Sequence, residues 1–422
     1  MYEKFALTPP MGWNSWDCYG ASVNEQQLIA NAEYMAKHLK PFGWEYVVCD
    51  IQWYEPTASG FHYHNFAPVC IDEYSRVIPS EERFPSSAGG RGFGPIADYV
   101  HSLGLKFGIH IMRGIPRLAV HLGTPIKAPG KTARDIAAQF SVCPWNTDMY
   151  GVNCDAEGAR EYYNSLFELY ASWGVDFVKC DDIANTEFRP DMPYSAKGEI
   201  ELIRNAIENC GRQIVLSLSP GPAPVNEHAH LAEHADMWRI TGDFWDSWDK
   251  LHEMFGRCNL WQEYVTPGAW PDCDMLPIGR LALCDFEGQG RWTEFTQDEQ
   301  ITLMTLWSIF RSPLIIGGDL RYNDEFTLSL LTNTELLEMH RNSFGAHQVR
   351  RDEKDGKGEI IWQSQSERFV YTALFNTDSA PGIIEFECDK SFVHDMWKNE
   401  DIPYEGSLEV PPHGARLIKT EK

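Results

Sequence analysis

Charged side chains gather in this sequence where short apolar runs end. Val175, Phe177 and Val178 read as a buried strand running straight into Lys179, Asp181 and Asp182. An apolar strand that ends in charge places that charge at a sheet edge open to substrate. Other apolar runs end the same way, at Trp16, Asp50, His110, Ser219, Arg239 with Asp243, and Asp272 with Asp274. One Asp at a strand exit can be an ordinary cap. Carboxylates at the ends of the second, fourth, sixth and seventh strands, converging on one face, read as a site.

Clustered carboxylates without a phosphate-binding glycine loop suit either a metal or acid–base work on a glycoside. A metal site of this kind calls for His ligands such as an HxH at the first strand, and the sequence has none there. His230-Leu-Ala-Glu233-His234 matches an H-x-x-E-H pattern. That segment reads as a short surface helix, and Glu227, His228 and Glu233 as its solvated face, so neither metal nor cofactor is expected. Glycoside hydrolysis needs two carboxyl groups flanking the scissile bond, about 5–5.5 Å apart when one acts as nucleophile. Asp181 and Asp243, on strands four and six, can meet across a barrel mouth. Lys179 precedes Asp181 by two residues and shares its face, so its ammonium favours the ionised carboxylate. A structural Lys179–Asp181 ion pair is the plainer alternative. Asp182 points to the opposite face.

Strand and helix patterns alternate over about the first 320 residues. Strands are expected near 11–16, 46–50, 105–111, 175–181, 214–218, 237–240, 270 and 313–316, with helices between most of them. Asn24 reads as the cap of a helix to about Leu39. Eight units with right-handed crossovers predict a (β/α)8 TIM barrel with long βα loops, and two long irregular stretches at 55–92 and 113–152. From about Gly345 alternating segments and turns such as Lys354-Asp355-Gly356 predict a small antiparallel β-sandwich. The expected domains are a barrel over 1–335 and the β domain over 336–422.

Composition narrows the function further. The chain has 422 residues, a net charge of −25 and fifteen Trp. Such acidity argues against nucleic acid or an anionic membrane as partner, and no run is long enough to span a bilayer. Aromatic excess leans towards carbohydrate. Eleven Cys without CxxC, and a Met1–Pro10 segment without a signal pattern, point to reduced thiols and a cytoplasmic location.

Several stretches resemble glycoside hydrolase family 27, the α-galactosidase family. Thr8-Pro-Pro-Met-Gly-Trp-Asn-Ser-Trp16 resembles its N-terminal signature, and Trp270-Pro-Asp-Cys-Asp-Met-Leu276 its late block. Val178-Lys-Cys-Asp181 is similar to its nucleophile strand, and Trp238-Arg-Ile-Thr-Gly-Asp243 to its acid/base segment. The resemblance implies a retaining exo-glycosidase with Asp181 as nucleophile and Asp243 as acid/base. It implies sugar contacts from Trp16, Asp50, Lys179, Arg239 and Asp274, while His110 takes a position usually held by an aromatic.

Departures from the family pattern bear on the sugar. Where family α-galactosidases end the second strand with Asp-Asp-Cys-Trp, this chain has Asp50-Ile51-Gln52-Trp53. The resemblance implies that the missing Asp would hold the galactose 4- and 6-hydroxyl region. Ile51 cannot accept a hydrogen bond, which favours β-L-arabinopyranose, an α-D-galactose without its hydroxymethyl arm. Ser219, before Pro220 and Pro222, stands where α-galactosidases place a Glu for the 2-hydroxyl, as in the N-acetylgalactosaminidase branch. Gln52 and Ile183 replace cysteines that secreted members pair. The expected function is therefore a β-L-arabinopyranosidase acting on an oligosaccharide or glycoside, then an α-galactosidase, then an α-N-acetylgalactosaminidase. A sugar-binding barrel without activity is disfavoured because both carboxylates are present.

Overall fold

The computed structural model describes residues 4–284 and 290–422. Residues 1–3 of the Met1–Pro10 segment lie outside the described residues. Eight short parallel strands form the central sheet: β1 (Met11–Asn14), β2 (Tyr46–Cys49), β3 (Lys106–Met112), β4 (Phe177–Asp181), β5 (Val215–Leu218), β6 (Met237–Arg239), β7 (Trp270–Asp272) and β8 (Leu314–Ile316). Their order is sequential from β7 back to β1, and β8 lies beside β1. Leu276, just past β7, bridges Ile316, its N–H bonding the Ile315 carbonyl at 2.7 Å, and this closes the barrel.

Period-two alternation splits each strand between two cores. Tyr46, Val48, Phe177, Val215, Met237 and Trp270 plug the barrel, whereas Val47, Cys49, Val178, Cys180 and Leu216 pack under the surrounding helices. Gly108 leaves room for the plug: a Cβ there would come within 3.0 Å of Phe177 and Val48. Most helices run as their sequence signals predict. Asn24 and Gln27 make a reciprocal capping box on the helix Glu25–His38. The helix Gln297–Phe310 is buried on nearly every side because it lies between the barrel and the C-terminal sheet.

That C-terminal part pairs a six-stranded antiparallel sheet with a two-stranded one, with Ile361, Leu374, Ile384 and Val410 between them. Its first strand begins at Phe344, after a helix (Thr334–Asn342) that crosses the expected 335/336 boundary.

Both long excursions lie over the barrel mouth side of the chain, and one is more regular than expected. Residues 113–152 contain a three-stranded antiparallel ribbon (Ile115–Pro116, Ala137–Val142, Met149–Val152) and two short helices. The 55–92 stretch is fixed instead by Arg83. Its guanidinium donates to the carbonyls of Gln52, Glu55, Ala21 and Val23 at 2.5–3.0 Å.

Candidate active site

Strand alternation sorts the anchor segment as the sequence predicts. Lys179 and Asp181 face the barrel interior, while Asp182 turns outward to an ion pair with Arg113 at 2.8 Å. Arg113 also holds Glu199 at 2.9 Å, so Asp182 belongs to a buried network behind β4. Lys179 does not make the alternative structural ion pair with Asp181. Its ammonium sits 2.9 Å from Asp50 Oδ2, which also accepts from Asn14 Nδ2 at 2.7 Å. Burial alone would raise the Asp50 carboxyl. Lys179, His110 and the Ile51 N–H outweigh it and hold Asp50 below its ordinary value.

His110 is the main departure from the sequence reading, which counted it among the strand-end groups open to substrate. It is fully buried and does not line the cavity. Strand register explains this: His110 pairs with Lys179, so it lies one inward-facing layer below Asp181. Its Nε2 is 2.9 Å from Asp181 Oδ2. A carboxylate only accepts, so this nitrogen is the donor. The other oxygen, Asp181 Oδ1, accepts the Asp182 N–H at 2.9 Å. Burial pushes the Asp181 carboxyl up, but the His110 hydrogen bond and charge, then Lys179, more than offset it. Asp181 is held well below the usual carboxylate range.

This arrangement gives a signed prediction. Replacing His110 by Phe removes the donor, which raises the Asp181 pKa and moves the acid limb of kcat/KM to higher pH. A charge-assisted hydrogen bond of this kind is worth roughly 10- to 100-fold in rate. His110→Gln, which can still donate, recovers part of the loss. An unmoved acid limb in His110→Phe would show that Asp181 does not depend on His110.

Arg239 organises the opposite wall. One guanidinium nitrogen lies 2.8 Å from Asp274 Oδ1 and the other 3.1 Å from Asp243 Oδ1. Asp274 also accepts the Phe244 N–H at 2.8 Å, which ties the β6 and β7 exits together. Below them burial, then the Asp274 charge, push the Asp272 carboxyl up to about 7. Asp243 itself is 72% exposed. It stands at the mouth while Asp181, only 14% exposed, lies deeper.

Asp181 and Asp243 share one cavity of about 630 Å³ with Trp16, Asp50, Ile51, Lys179, Arg239 and Asp274. Ile51 is 1% exposed, and its neighbours fix it. Gln52 Nε2 donates to Asp148 at 2.9 Å and the Trp53 indole to the His110 carbonyl at 2.6 Å. Ser219 is a second correction. It is buried, its hydroxyl lies 3.5 Å from the Cys180 carbonyl, and the turn Pro220–Gly221–Pro222 faces the cavity in its place.

Several cavity residues escaped the sequence reading. Asp17 lies in the wall beside Trp16, and its Oδ2 is buried without a hydrogen-bond partner. Burial, then the charge of Asp274, raise its carboxyl well above the ordinary value. Gly317 makes room for it, since a Cβ there would fall 1.8 Å from that oxygen. Phe61, Tyr63, Trp145 and Trp245 edge the mouth, and Asn185 and Glu187 line the cavity as well. All but Asp17 stand on loops, and the high Trp content was the one signal for them. The His230–His234 segment lies outside this cavity: the two rings stack at 4.1 Å and His230 Nδ1 meets Tyr194 OH at 2.9 Å.

A closed β/α barrel with a carboxylate-lined pocket at the strand ends suits a glycoside hydrolase among other barrel enzymes, and similar proteins narrow the class. A family model described as alpha galactosidase A matches residues 146–342. A family 27 β-L-arabinopyranosidase structure from Geobacillus stearothermophilus is 54% identical over 98% of this chain and 96% of its own, with a TM-score of 0.94. A Bacillus halodurans structure, proposed to be an α-N-acetylgalactosaminidase, is 48% identical over 99% of this chain and 98% of its own, with a TM-score of 0.88. Alpha-galactosidase 2 of Arabidopsis thaliana is 26% identical over 99% of this chain and 90% of its own length. The chain belongs to glycoside hydrolase family 27.

Proposed function

We propose that this enzyme is a retaining exo-glycosidase that releases terminal β-L-arabinopyranose. Asp181 attacks the anomeric carbon as Asp243 gives its proton to the departing glycosidic oxygen. One C–O bond forms to Asp181, and the bond to the aglycone breaks. Asp243, now a carboxylate, then takes a proton from water, whose oxygen attacks the same carbon and frees Asp181. The low-lying Asp181 carboxyl suits a nucleophile, and the exposure of Asp243 at the mouth suits proton exchange with leaving group and water.

One observation favours the pentose: Ile51 is packed into the cavity wall directly after Asp50. A hydroxymethyl hydroxyl buried against it without a partner costs on the order of 1–3 kcal/mol. The arabinopyranosidase identity of the 54% identical Geobacillus structure lends support. An α-galactosidase is the second reading, favoured by the names of curated relatives such as the Arabidopsis protein. The acetamido-sugar reading has less support, because Pro220, Gly221 and Pro222 line the cavity and Ser219 does not. The test is kcat/KM for aryl β-L-arabinopyranoside against aryl α-D-galactopyranoside, with the anomer of the first product followed by NMR. A higher value for the arabinoside and a first product of β configuration are expected. A galactoside preference or an α-L product would refute the sugar or the retaining mechanism respectively.

A further inference from the structure

The C-terminal β domain reaches back to the barrel at the segment that carries Asp243. That segment leaves β6 at Arg239, passes Asp243 and enters the helix Trp248–Trp261. Asp274 holds the Phe244 N–H at 2.8 Å, and Asp246 accepts from Arg291 Nη2 at 2.7 Å. Ser247 gives the helix no side-chain cap, so its first turn relies on how Trp248 packs. The partner of Trp248 comes from the other domain. The His413 ring lies flat on the Trp248 ring, with centroids 3.8 Å apart and planes 1° from parallel.

His413 is itself held from several sides. It sits in the turn between the strands Ser407–Val410 and Ala415–Glu421, at a φ of 51°. That left-handed conformation costs a residue other than glycine roughly 1–2 kcal/mol. Its N–H donates to the Asp378 carbonyl at 3.0 Å, and its carbonyl accepts from Thr302 Oγ1 at 2.7 Å. Its Nδ1 lies 2.9 Å from Glu299 Oε1. Thr302 and Glu299 both stand on the helix Gln297–Phe310, so the barrel grips the backbone, ring edge and ring face of one residue. Strain that its surroundings enforce in this way marks a position with a task. Docking the two domains is the plainer task, but other contacts already serve it. His252 Nε2 meets Glu353 Oε1 at 2.7 Å, and the Trp397 indole donates to Thr305 Oγ1 at 2.8 Å. The His413 contact falls instead on the first residue of the helix, five residues after Asp243.

We infer that His413 is a positioning residue for the proposed reaction: its ring clamps Trp248 and thereby steadies the segment that presents Asp243 to the leaving group. His413 does not line the cavity, so the β domain assists proton transfer without touching substrate. The inference rests on the proposed reading of Asp243 as acid and base.

The test compares wild type with His413→Asn and His413→Phe. Asn tolerates the left-handed backbone and removes the ring, whereas Phe restores a ring face. Each enzyme is given two glycosides of the sugar that wild type prefers. One has an alkyl leaving group, which needs a proton, and the other a dinitrophenyl group, which does not. His413→Asn is expected to lose about tenfold in kcat/KM on the alkyl glycoside, part of what a well-placed general acid supplies. Its kcat/KM on the dinitrophenyl glycoside is expected to hold, which also reports a folded site. His413→Phe is expected to recover most of the alkyl loss. Equal losses on both leaving groups, no loss on either, or no recovery with Phe overturns the inference. Asp243→Ala assayed alongside separates this from the acid–base reading. Equal losses in that variant would remove the acid role of Asp243 itself. A loss there that depends on leaving group, with none in His413→Asn, overturns the positioning role only.

Discussion

Asp181→Ala lowers kcat/KM for an aryl β-L-arabinopyranoside by about 10⁴- to 10⁶-fold, the scale seen when a covalent nucleophile is removed from a group that acts as a unit. The site explains why no neighbour substitutes. Asp182 is turned outward and locked to Arg113. Asp50 is engaged by Lys179 and Asn14. Asp243 stands at the mouth with Arg239. Azide, small enough for the space vacated by the carboxylate, restores turnover of an activated substrate and gives the inverted α-L-arabinopyranosyl azide. A variant that keeps more than a few per cent of wild-type activity would remove Asp181 from the nucleophile role.

Asp243→Ala behaves differently, and the difference identifies its role. Loss of a general acid costs about 10²- to 10⁴-fold, most for leaving groups that need a proton. Alkyl and sugar aglycones are therefore expected to suffer the full loss in kcat/KM. A dinitrophenyl glycoside, which leaves unaided, is expected to react nearly as before to form the glycosyl-enzyme and then stall. Pre-steady-state release of dinitrophenol would show this as a burst, and azide would give the β-L azide with retained configuration. Equal losses across leaving groups would mean that Asp243 binds substrate and transfers no proton.

Much of this architecture was legible because it rests on local rules. Phe177, Lys179 and Asp181 alternate with Val178, Cys180 and Asp182, and that period alone separated the proposed nucleophile from its neighbour. Asn24 marked a helix start through a cap that the structure contains. Depth within the barrel was not legible. His110 and Asp181 share the inward face, but which lies above the other depends on the stagger between β3 and β4, a relation between strands far apart in sequence. Ser219 misled for a similar reason: its face could be inferred and Pro222 could be seen to refill the space, but not that Pro220, Gly221 and Pro222 line the cavity while Ser219 does not.

Loops account for the remaining gaps. Phe61, Tyr63 and Trp145 lie in segments without periodicity, and the stretch carrying Phe61 and Tyr63 is held by Arg83 through four distant carbonyls. The ribbon within 113–152 was read as irregular because its strands are short and interrupted by two small helices. Asp17 follows Trp16 in a four-residue helical turn that no pattern in the sequence marked.

In the proposed function the choice of sugar rests on Ile51, and one measurement addresses it directly: the ratio of kcat/KM for aryl β-L-arabinopyranoside to that for aryl α-D-galactopyranoside in wild type, Ile51→Asp and Ile51→Asn. An acceptor at this position gives the 6-hydroxyl a partner worth about 1–3 kcal/mol, so the ratio shifts towards galactoside by about tenfold or more. Asn provides the acceptor without a second buried charge beside Asp50. A wild-type preference for galactoside, or a ratio that neither substitution moves, would contradict the account.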